Sequence, residues 1–227
     1  MRVKVCGIRR LEDLALVAKS GADAIGLLVG KRHRSEDFLE PDEARALAAG
    51  CPPFVTPVLV THYEEADSIV ELARKLLVTT IQVHSDCPAT ELRRIRKEIP
   101  GVRLIRAVHA TSIDAIDEVR ELVGSAHAFI VDSVNLKDDR VGGTGLTHDW
   151  GLSQRIVAAS PLPVILAGGL DAANVAEAIS TVRPYGVDAN TRLRGVDGFK
   201  SPMKVGSFIY AAKSAFFNLP SERGYPS

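Results

Sequence analysis

Short apolar runs alternate with amphipathic segments along nearly the whole of this 227-residue chain. The apolar runs, rich in Val, Ile and Leu, lie at 2–6, 24–29, 55–61, 79–84, 102–108, 126–132, 163–167 and 185–188. Most of them lack strict apolar–polar alternation, which is typical of strands that are buried on both faces. The segments between them carry apolar residues at helical spacing. These predicted helices lie at 11–20, 42–49, 66–77, 90–98, 112–123, 151–159, 172–181 and 203–217.

A strand followed by a helix, repeated about eight times in units of roughly 25–30 residues, indicates a closed parallel barrel. The sequence therefore predicts a single-domain (β/α)8 barrel of the TIM type over residues 1–217, with 218–227 as a C-terminal tail. An open, doubly wound sheet is the structural alternative. It usually has fewer units and a Gly-x-Gly-x-x-Gly turn after the first strand, and this sequence has no such turn.

Composition limits the classes of partner. The chain has 28 basic and 28 acidic residues, so no overall charge favours nucleic acid or a membrane surface. Its three cysteines, Cys6, Cys51 and Cys87, lie far apart without a Cys-x-x-Cys pair, which argues against a disulfide framework and a structural zinc site. We see no signal peptide and no run long enough to span a bilayer. These features predict a cytoplasmic protein.

In a barrel of this kind the active site lies at the carboxyl ends of the strands and in the loops that follow them. Polar residues and glycines are concentrated there. They are Cys6, Thr61, His62, His84, His109, Asp132, Gly168, Gly169, Asp188 and Asn190. Their concentration at the predicted strand ends favours a functional role over a chance distribution of polar residues on the surface.

Two of these residues are candidates for acid–base chemistry. Cys6 ends the first strand, and it is either a small buried hydrophobic residue or a general base whose thiol pKa is tuned by its surroundings. Asp132 follows the apolar run 129–131, and a lone carboxylate in such a place is rarely buried unless it is paired. Burial can keep a carboxyl group protonated near neutral pH, so Asp132 is a candidate general acid.

Two glycine-rich segments are candidates for phosphate binding. One contains Gly143 and Gly145, and the other is the pair Gly168 and Gly169 ahead of a predicted helix that Asp171 would cap. Backbone N–H groups at such a helix start favour an anion, although a tight turn explains the glycines equally well. The basic run 31–34 is either solvated surface or a clamp for a carboxylate or phosphate.

Several motifs, in order along the chain, resemble the phosphoribosylanthranilate isomerase family. Residues 3–8 read Val-Lys-Val-Cys-Gly-Ile, 142–145 read Gly-Gly-Thr-Gly, and 167–170 read Ala-Gly-Gly-Leu. The resemblance runs from residue 2 to about residue 215. It implies a (β/α)8 barrel that performs an Amadori rearrangement in tryptophan biosynthesis without a metal or organic cofactor. It also implies that Cys6 is the general base and Asp132 the general acid.

The resemblance extends to substrate binding. The residues it implies there are Arg34, His84, Gly143, Gly145, Gly168, Gly169, Asp188, Asn190, Thr191 and Arg192. This sequence departs from the family pattern after strand 8, where Arg192 replaces a glycine and Arg194 replaces a glutamate. The loop after strand 2 is also about two residues longer. The family's carboxylate-binding arginine therefore aligns with Arg34 or, counted from the other side, with Asp37; we expect Arg34.

Four hypotheses follow. The chain is a phosphoribosylanthranilate isomerase with divergent loops, or an offshoot that isomerises another phosphosugar amine. A metal-dependent sugar-phosphate epimerase would use His84, His109, Asp132 and Asp188 as ligands. A non-catalytic phosphosugar-binding barrel is the fourth. We expect a small-molecule phosphosugar as the partner, neither nucleic acid nor membrane, and a monomer or homodimer.

Overall fold

The structure is a computed structural model that describes residues 1–30, 36–132, 134–135, 140–141 and 150–217. The expectations for Arg34, Gly143, Gly145 and the tail 218–227 lie outside these residues. The barrel strands are β1 (Arg2–Cys6), β2 (Ala24–Leu28), β3 (Thr56–Thr61), β4 (Thr80–Val83), β5 (Arg103–His109), β6 (Ala128–Asp132), β7 (Val164–Leu166) and β8 (Gly186–Ala189). The helices are α1 (Leu11–Lys19), α2 (Pro41–Ala49), α3 (Ala66–Leu76), α4 (Ala89–Glu98), α5 (Ala115–Leu122), α6 (Trp150–Ala159), α7 (Val175–Val182) and α8 (Pro202–Phe217).

The eight strands form one closed barrel in which each strand pairs in parallel with its neighbours in the chain, and β8 pairs with β1. The predicted (β/α)8 barrel is thus confirmed. At the seam that closes it, Lys4 lies opposite Asp188, and on the other side of β1, Cys6 lies opposite Gly26. The barrel brings residues from the two ends of the chain to one rim.

The predicted elements agree with the structure in number and order but differ at their ends. Helix α7 begins at Val175, and the helix predicted from residue 172 was placed too early. Asp171 Oδ1 accepts hydrogen bonds from the backbone N–H groups of Ala173 and Asn174, which forms a turn instead of a first helical turn. A two-stranded antiparallel ribbon, Val134–Asn135 with Arg140–Val141, was not predicted.

Buried apolar side chains form two layers. The outer layer lies between the strands and the helices, and its largest members are Phe129 and Phe208. The inner layer fills the barrel, and its buried members are Cys6, Leu28, Val58, Val60, Ile105, Ala107, Ile130 and Ala167. Because side chains alternate along a strand, Asp132, two residues beyond Ile130, faces the interior as well. No helix in the described part of the chain is long and apolar enough to cross a membrane.

Candidate active site

Six of the predicted polar residues at the strand ends face one space inside the rim of the barrel. Cys6, His62, His84, Asp132 and Asp188 are buried, and His109 is half-buried. They come from β1, β5, β6 and β8 and from the residues directly after β3 and β4. Thr61 was predicted with them, but it follows the inward-facing Val60 in β3 and so points to the helix side of the sheet. Charged and titratable groups are rarely buried without partners, so this ring distinguishes the rim from an ordinary apolar core.

The Cys6 thiol fits inside the barrel because its neighbour on β2 is a glycine. A methyl group at Gly26 would lie 2.5 Å from Cys6 Sγ, well inside van der Waals contact. Burial raises the pKa of the thiol to about 11, the positive charges of Lys4 and Lys200 oppose this shift, and the negative charges of Asp188 and Asp37 add to it. The thiol therefore lies among four charged groups that set its acidity.

Lys4 and Asp188 form a buried ion pair below the thiol. Lys4 Nζ lies 2.8 Å from Asp188 Oδ2, and both side chains are almost fully shielded from solvent. Burial raises the pKa of Asp188, against the opposing charge of Lys4. Burial also acts to lower the pKa of Lys4, but Asp188 and Cys6 outweigh it, so the net shift is upward. One oxygen of Asp188, the residue expected to bind substrate, is thus already bound to Lys4.

Three histidines form a row around the rim from β3 to β5. Their ring centroids are 5.3 Å apart for His62 and His84 and 5.8 Å apart for His84 and His109, in edge-to-face contacts. Gln82 Nε2 lies 3.0 Å from His84 Nδ1, and because an amide nitrogen only donates, the imidazole hydrogen lies on Nε2. That Nε2 lies 3.6 Å from Asp132 Oδ2. His84 therefore orients a polar hydrogen toward the candidate acid.

Burial lowers the pKa of two histidines in this row, His84 and His109, which favours their neutral imidazole forms. Burial, followed by the charges of His62 and His109, lowers the pKa of His84 well below its ordinary value. Burial likewise lowers the pKa of His109. The described residues contain no group of three or more His, Cys, Asp or Glu side chains arranged to hold a metal ion. Asp188, one of the four ligands in the epimerase hypothesis, is bound to Lys4 instead.

The loops after β7 and β8 form the adjoining part of the rim. Gly168 and Gly169 have φ values of 91° and 61°, in the left-handed region that favours glycine. Asn174 donates a hydrogen bond of 2.9 Å to the carbonyl of Gly169 and so fixes the turn ahead of α7. Thr191 opens a single 3-10 turn, Thr191–Leu193, after β8. Glycines in such conformations ahead of a helix are typical of loops whose backbone N–H groups bind phosphate.

The arginines that depart from the family pattern are both paired within the chain. Arg192 Nη1 lies 2.8 Å from Asp171 Oδ2, which links the β8 loop to the β7 loop. Arg194 Nη2 binds Asp37 Oδ2, which links the β8 loop to the loop after β2. Asn190, expected to bind substrate, also donates a hydrogen bond of 2.8 Å to Asp37. The two guanidinium groups thus reach in opposite directions around the rim, one toward the loop after β7 and the other toward the loop after β2.

Sequence reasoning missed Lys200. This buried lysine donates hydrogen bonds to the backbone oxygen and Oδ1 of Asn190, at 3.1 and 2.8 Å. Burial lowers its pKa to about 8, against the charges of Asp37, Cys6 and Asp188. It lies in a loop with no apolar periodicity, so its sequence surroundings carried no signal that it points inward.

The fold and the rim define an enzyme of the (β/α)8-barrel class with a buried thiol, a buried carboxyl group and a pair of positive-φ glycines at the carboxyl ends of its strands. The family model described as N-(5'-phosphoribosyl)anthranilate isomerase matches residues 3–211. The chain belongs to the phosphoribosylanthranilate isomerase family.

Relatives of known sequence or structure cover almost the whole chain. It is 45% identical over 219 residues to N-(5'-phosphoribosyl)anthranilate isomerase 2 of Methanosarcina mazei, covering 96% of this chain and 97% of that protein. It is 28% identical, with a TM-score of 0.80, to a phosphoribosylanthranilate isomerase solved with reduced 1-(o-carboxyphenylamino)-1-deoxyribulose 5-phosphate; 94% of this chain and 99% of that chain are covered. A structure of monomers generated from the dimeric enzyme of Thermotoga maritima matches at 27% identity and a TM-score of 0.80, with the same coverage.

Proposed function

We propose that this protein isomerises N-(5'-phosphoribosyl)anthranilate to the corresponding 1-deoxyribulose phosphate, an aldose–ketose (Amadori) rearrangement in tryptophan biosynthesis. The observation that carries the proposal is the placement of Cys6 and Asp132. They end β1 and β6 as buried, inward-facing side chains at one rim of one barrel. This is the rim at which (β/α)8 enzymes bind their substrates.

The chemistry requires one acid and one base on either side of the sugar. Asp132 gives its proton to the ribose ring oxygen, the bond from C1 to that oxygen breaks, and the amine nitrogen supplies the electron pair that forms an iminium. Cys6, as the thiolate, then removes the proton from C2. The electron pair of the C2–H bond forms the C1–C2 double bond, and the C1–N π electrons return to the nitrogen, which gives a neutral enolamine. The enolamine takes up a proton at C1 and releases the proton of its C2 hydroxyl, which gives the ketone. Each such group contributes about 10²–10⁴-fold to the rate.

The surroundings of the two groups suit these roles. Burial raises the pKa of the thiol, and the charges of Lys4 and Lys200 oppose that rise and so favour the thiolate that the base requires. His84 Nε2 lies 3.6 Å from Asp132 Oδ2, and it carries the imidazole hydrogen when Nδ1 accepts the hydrogen bond from Gln82. We therefore assign His84 to the positioning of the acid, in addition to the substrate contact that the resemblance implies.

The phosphate group would lie in the recess formed by the loops after β7 and β8. Gly168 and Gly169 have the backbone conformations such a recess needs, and Thr191 begins the 3-10 turn beside them. Arg192, held by Asp171, adds a guanidinium group at the edge of the recess. For Arg34, Gly143 and Gly145 the sequence resemblance alone supports a role in substrate binding.

The decisive experiment supplies purified protein with enzymatically generated phosphoribosylanthranilate and follows the loss of substrate fluorescence. We expect turnover, and we expect Cys6→Ala and Asp132→Asn each to lower kcat by at least about 10²-fold with an unchanged circular dichroism spectrum. A folded wild-type protein that binds phosphosugars without turnover would support the alternative substrate or the non-catalytic hypothesis. Full activity of either variant would remove that residue from the mechanism.

The setting of the reaction is part of the proposal. Cys6, Cys51 and Cys87 are all free thiols, which suits a reducing compartment, and we place the protein in the cytoplasm. Its partner is a small phosphosugar, and the assembly is a monomer or a homodimer. The Thermotoga maritima relative, described as dimeric, supports the homodimer. Sedimentation of the purified protein distinguishes the two states.

A further inference from the structure

Arg9, Asp37, Arg194 and Lys200 lie on the side of the rim formed by β1, β2 and β8, and we call them the Asp37 cluster. Arg194 Nη2 and the amide of Asn190 both contact Asp37 Oδ2, and Arg9 Nε lies 3.9 Å from Asp37 Oδ1. Lys200 joins the cluster through its hydrogen bonds to Asn190. The Asp37 carboxylate therefore lies at the centre of a set of cationic side chains.

The guanidinium groups of this cluster are fixed in place. The Arg194 backbone forms an antiparallel bridge with Lys200, and its carbonyl accepts a hydrogen bond of 2.7 Å from Lys204 Nζ. Arg9 donates to the carbonyl of Gly198 at 2.7 Å and stacks 4.7 Å above the ring of Phe199. The side chains of Arg9 and Arg194 are only 18% and 20% exposed. Because they are already ordered, they would lose little conformational entropy on binding a ligand.

The cluster carries more positive than negative charge. It contains three basic side chains and one carboxylate, and burial lowers the Lys200 pKa to about 8, so the amine keeps its proton near neutral pH. The charges of Lys200 and Asp37 act on the pKa of Cys6, which places the cluster beside the thiol. The excess positive charge of the Asp37 cluster would therefore attract an anionic ligand, and the low dielectric of this buried region would strengthen the attraction.

The proposed substrate carries two anions at different distances from the reacting carbon. Its phosphate lies at C5 of the sugar, whereas its aromatic carboxylate is attached through the amine to C1, next to the C2 proton that Cys6 removes. The carboxylate is thus held on the thiol's side of the rim and the phosphate beyond it. Arg192 pairs with Asp171 of the β7 loop, close in sequence to Gly168 and Gly169, whereas Arg194 pairs with Asp37, whose charge acts on the Cys6 thiol.

We propose that Arg194, oriented by Asp37, binds the aromatic carboxylate of the substrate and makes the site selective for amines that bear it. This inference rests on the proposed function and names a specificity residue for it. Arg194 touches the substrate, and Asp37 is a positioning residue. The role expected for Arg34 passes, in this chain, to Arg194 in the loop after β8.

Two ligands test the proposal: reduced 1-(o-carboxyphenylamino)-1-deoxyribulose 5-phosphate and the same compound without the carboxyl group. Calorimetry gives the Kd of each for the wild type and for Arg194→Gln. We expect Arg194→Gln to raise the Kd of the carboxylated ligand by about 10- to 100-fold, because the variant loses one charged hydrogen-bonding group. We expect it to change the affinity for the other ligand by less than about twofold, since that ligand makes no contact there.

The matched control is Arg192→Gln, which should raise the Kd of both ligands by the same factor because both carry phosphate. Arg194→Lys should lie between the wild type and Arg194→Gln, because it keeps the charge but loses the planar fork. If Arg194→Gln does not fold, Arg194→Lys provides the same comparison between the two ligands. Equal loss for both ligands in the Arg194 variants, or no loss for either, would overturn the proposal. Selective loss in Arg34→Gln with unchanged binding in Arg194→Gln would overturn it in favour of Arg34.

These measurements are independent of turnover. If the wild type binds both ligands but does not convert phosphoribosylanthranilate, the proposed function fails while the carboxylate assignment is still measured. If the wild type turns over but Arg194→Gln shows no selective loss of affinity, the assignment alone fails.

Discussion

At Cys6, burial and charge act in opposite directions on one thiol. Burial raises its pKa to about 11, far above neutral pH, while the charges of Lys4 and Lys200 oppose this rise. Lys4 is shared with Asp188, so its charge is largely compensated. Lys4 nevertheless has the larger effect on the thiol, and Lys200, whose hydrogen bonds within the described residues go to neutral oxygens of Asn190, adds to it.

Replacing Lys200 with methionine should therefore make Cys6 less reactive. With its pKa of about 8, Lys200 is charged below that pH and stabilises the thiolate there. We expect the rate of Cys6 alkylation by iodoacetamide between pH 6 and 8 to fall several-fold in Lys200→Met. The difference should narrow above pH 8, where the wild-type amine loses its proton. Mass spectrometry of the labelled peptide gives the rate at Cys6 separately from Cys51 and Cys87.

The control for this measurement is Lys213→Met, which removes a lysine that is paired with Asp23 at the opposite end of the barrel. That variant should alkylate at the wild-type rate throughout. An unchanged rate in Lys200→Met would show that the lysine has no electrostatic effect on the thiol, whatever its effect on kcat.

At the scale of elements, β1 and β2 approach each other closely at one point. Cys6 and Gly26 are opposite one another in register, and the thiol occupies the space that a side chain on Gly26 would need. The φ angle of Gly26 is not in the left-handed region, so its backbone conformation does not require glycine. Glycine is needed there because a side chain would collide with the Cys6 thiol. A glycine inside a strand often marks such a close approach.

Substituting Gly26 with alanine should destabilise the barrel by about 1–3 kcal/mol, the usual cost of an inserted methyl group in a packed interior. Urea denaturation followed by circular dichroism measures the change in the free energy of unfolding. Gly206→Ala is the matched control, because a Cβ at that position in α8 meets no atom within 4 Å. It should be neutral or stabilising by up to about 1 kcal/mol. Equal stability of the two variants would contradict the packing argument.

The same scale shows what the sequence could and could not predict. Strand and helix positions followed from hydrophobic periodicity, which is local information, and the strand ends located Cys6, His84 and Asp132 correctly at one rim. The contact between Arg194 and Asp37 joins residues 157 apart, and nothing in either segment specifies it. Local patterns give the elements, whereas pairs of polar side chains depend on the closed geometry that follows.

For the whole molecule, closure depends on joining the first strand to the last. The pairing of β1 with β8 places Lys4 and Asp188, 184 residues apart, in direct contact inside the barrel. The pair is shielded from water, so each charge depends on the other. The pair also affects the pKa of the Cys6 thiol, which the charge of Lys4 lowers and the charge of Asp188 raises. Lys4 and Asp188 therefore belong both to the seam that closes the barrel and to the lower part of the candidate active site.

Removing one member of this pair should cost far more than removing both. Asp188→Leu leaves Lys4 as a buried charge without its partner, and we expect a loss of about 3–5 kcal/mol in the free energy of unfolding, measured in urea. The double variant Lys4→Met/Asp188→Leu replaces the pair with apolar side chains of similar size and should recover most of that stability. Additive losses would mean that the two residues act independently. If the double variant is stable but inactive, the pair acts through Cys6; if it keeps full activity, the charges at the seam serve folding alone.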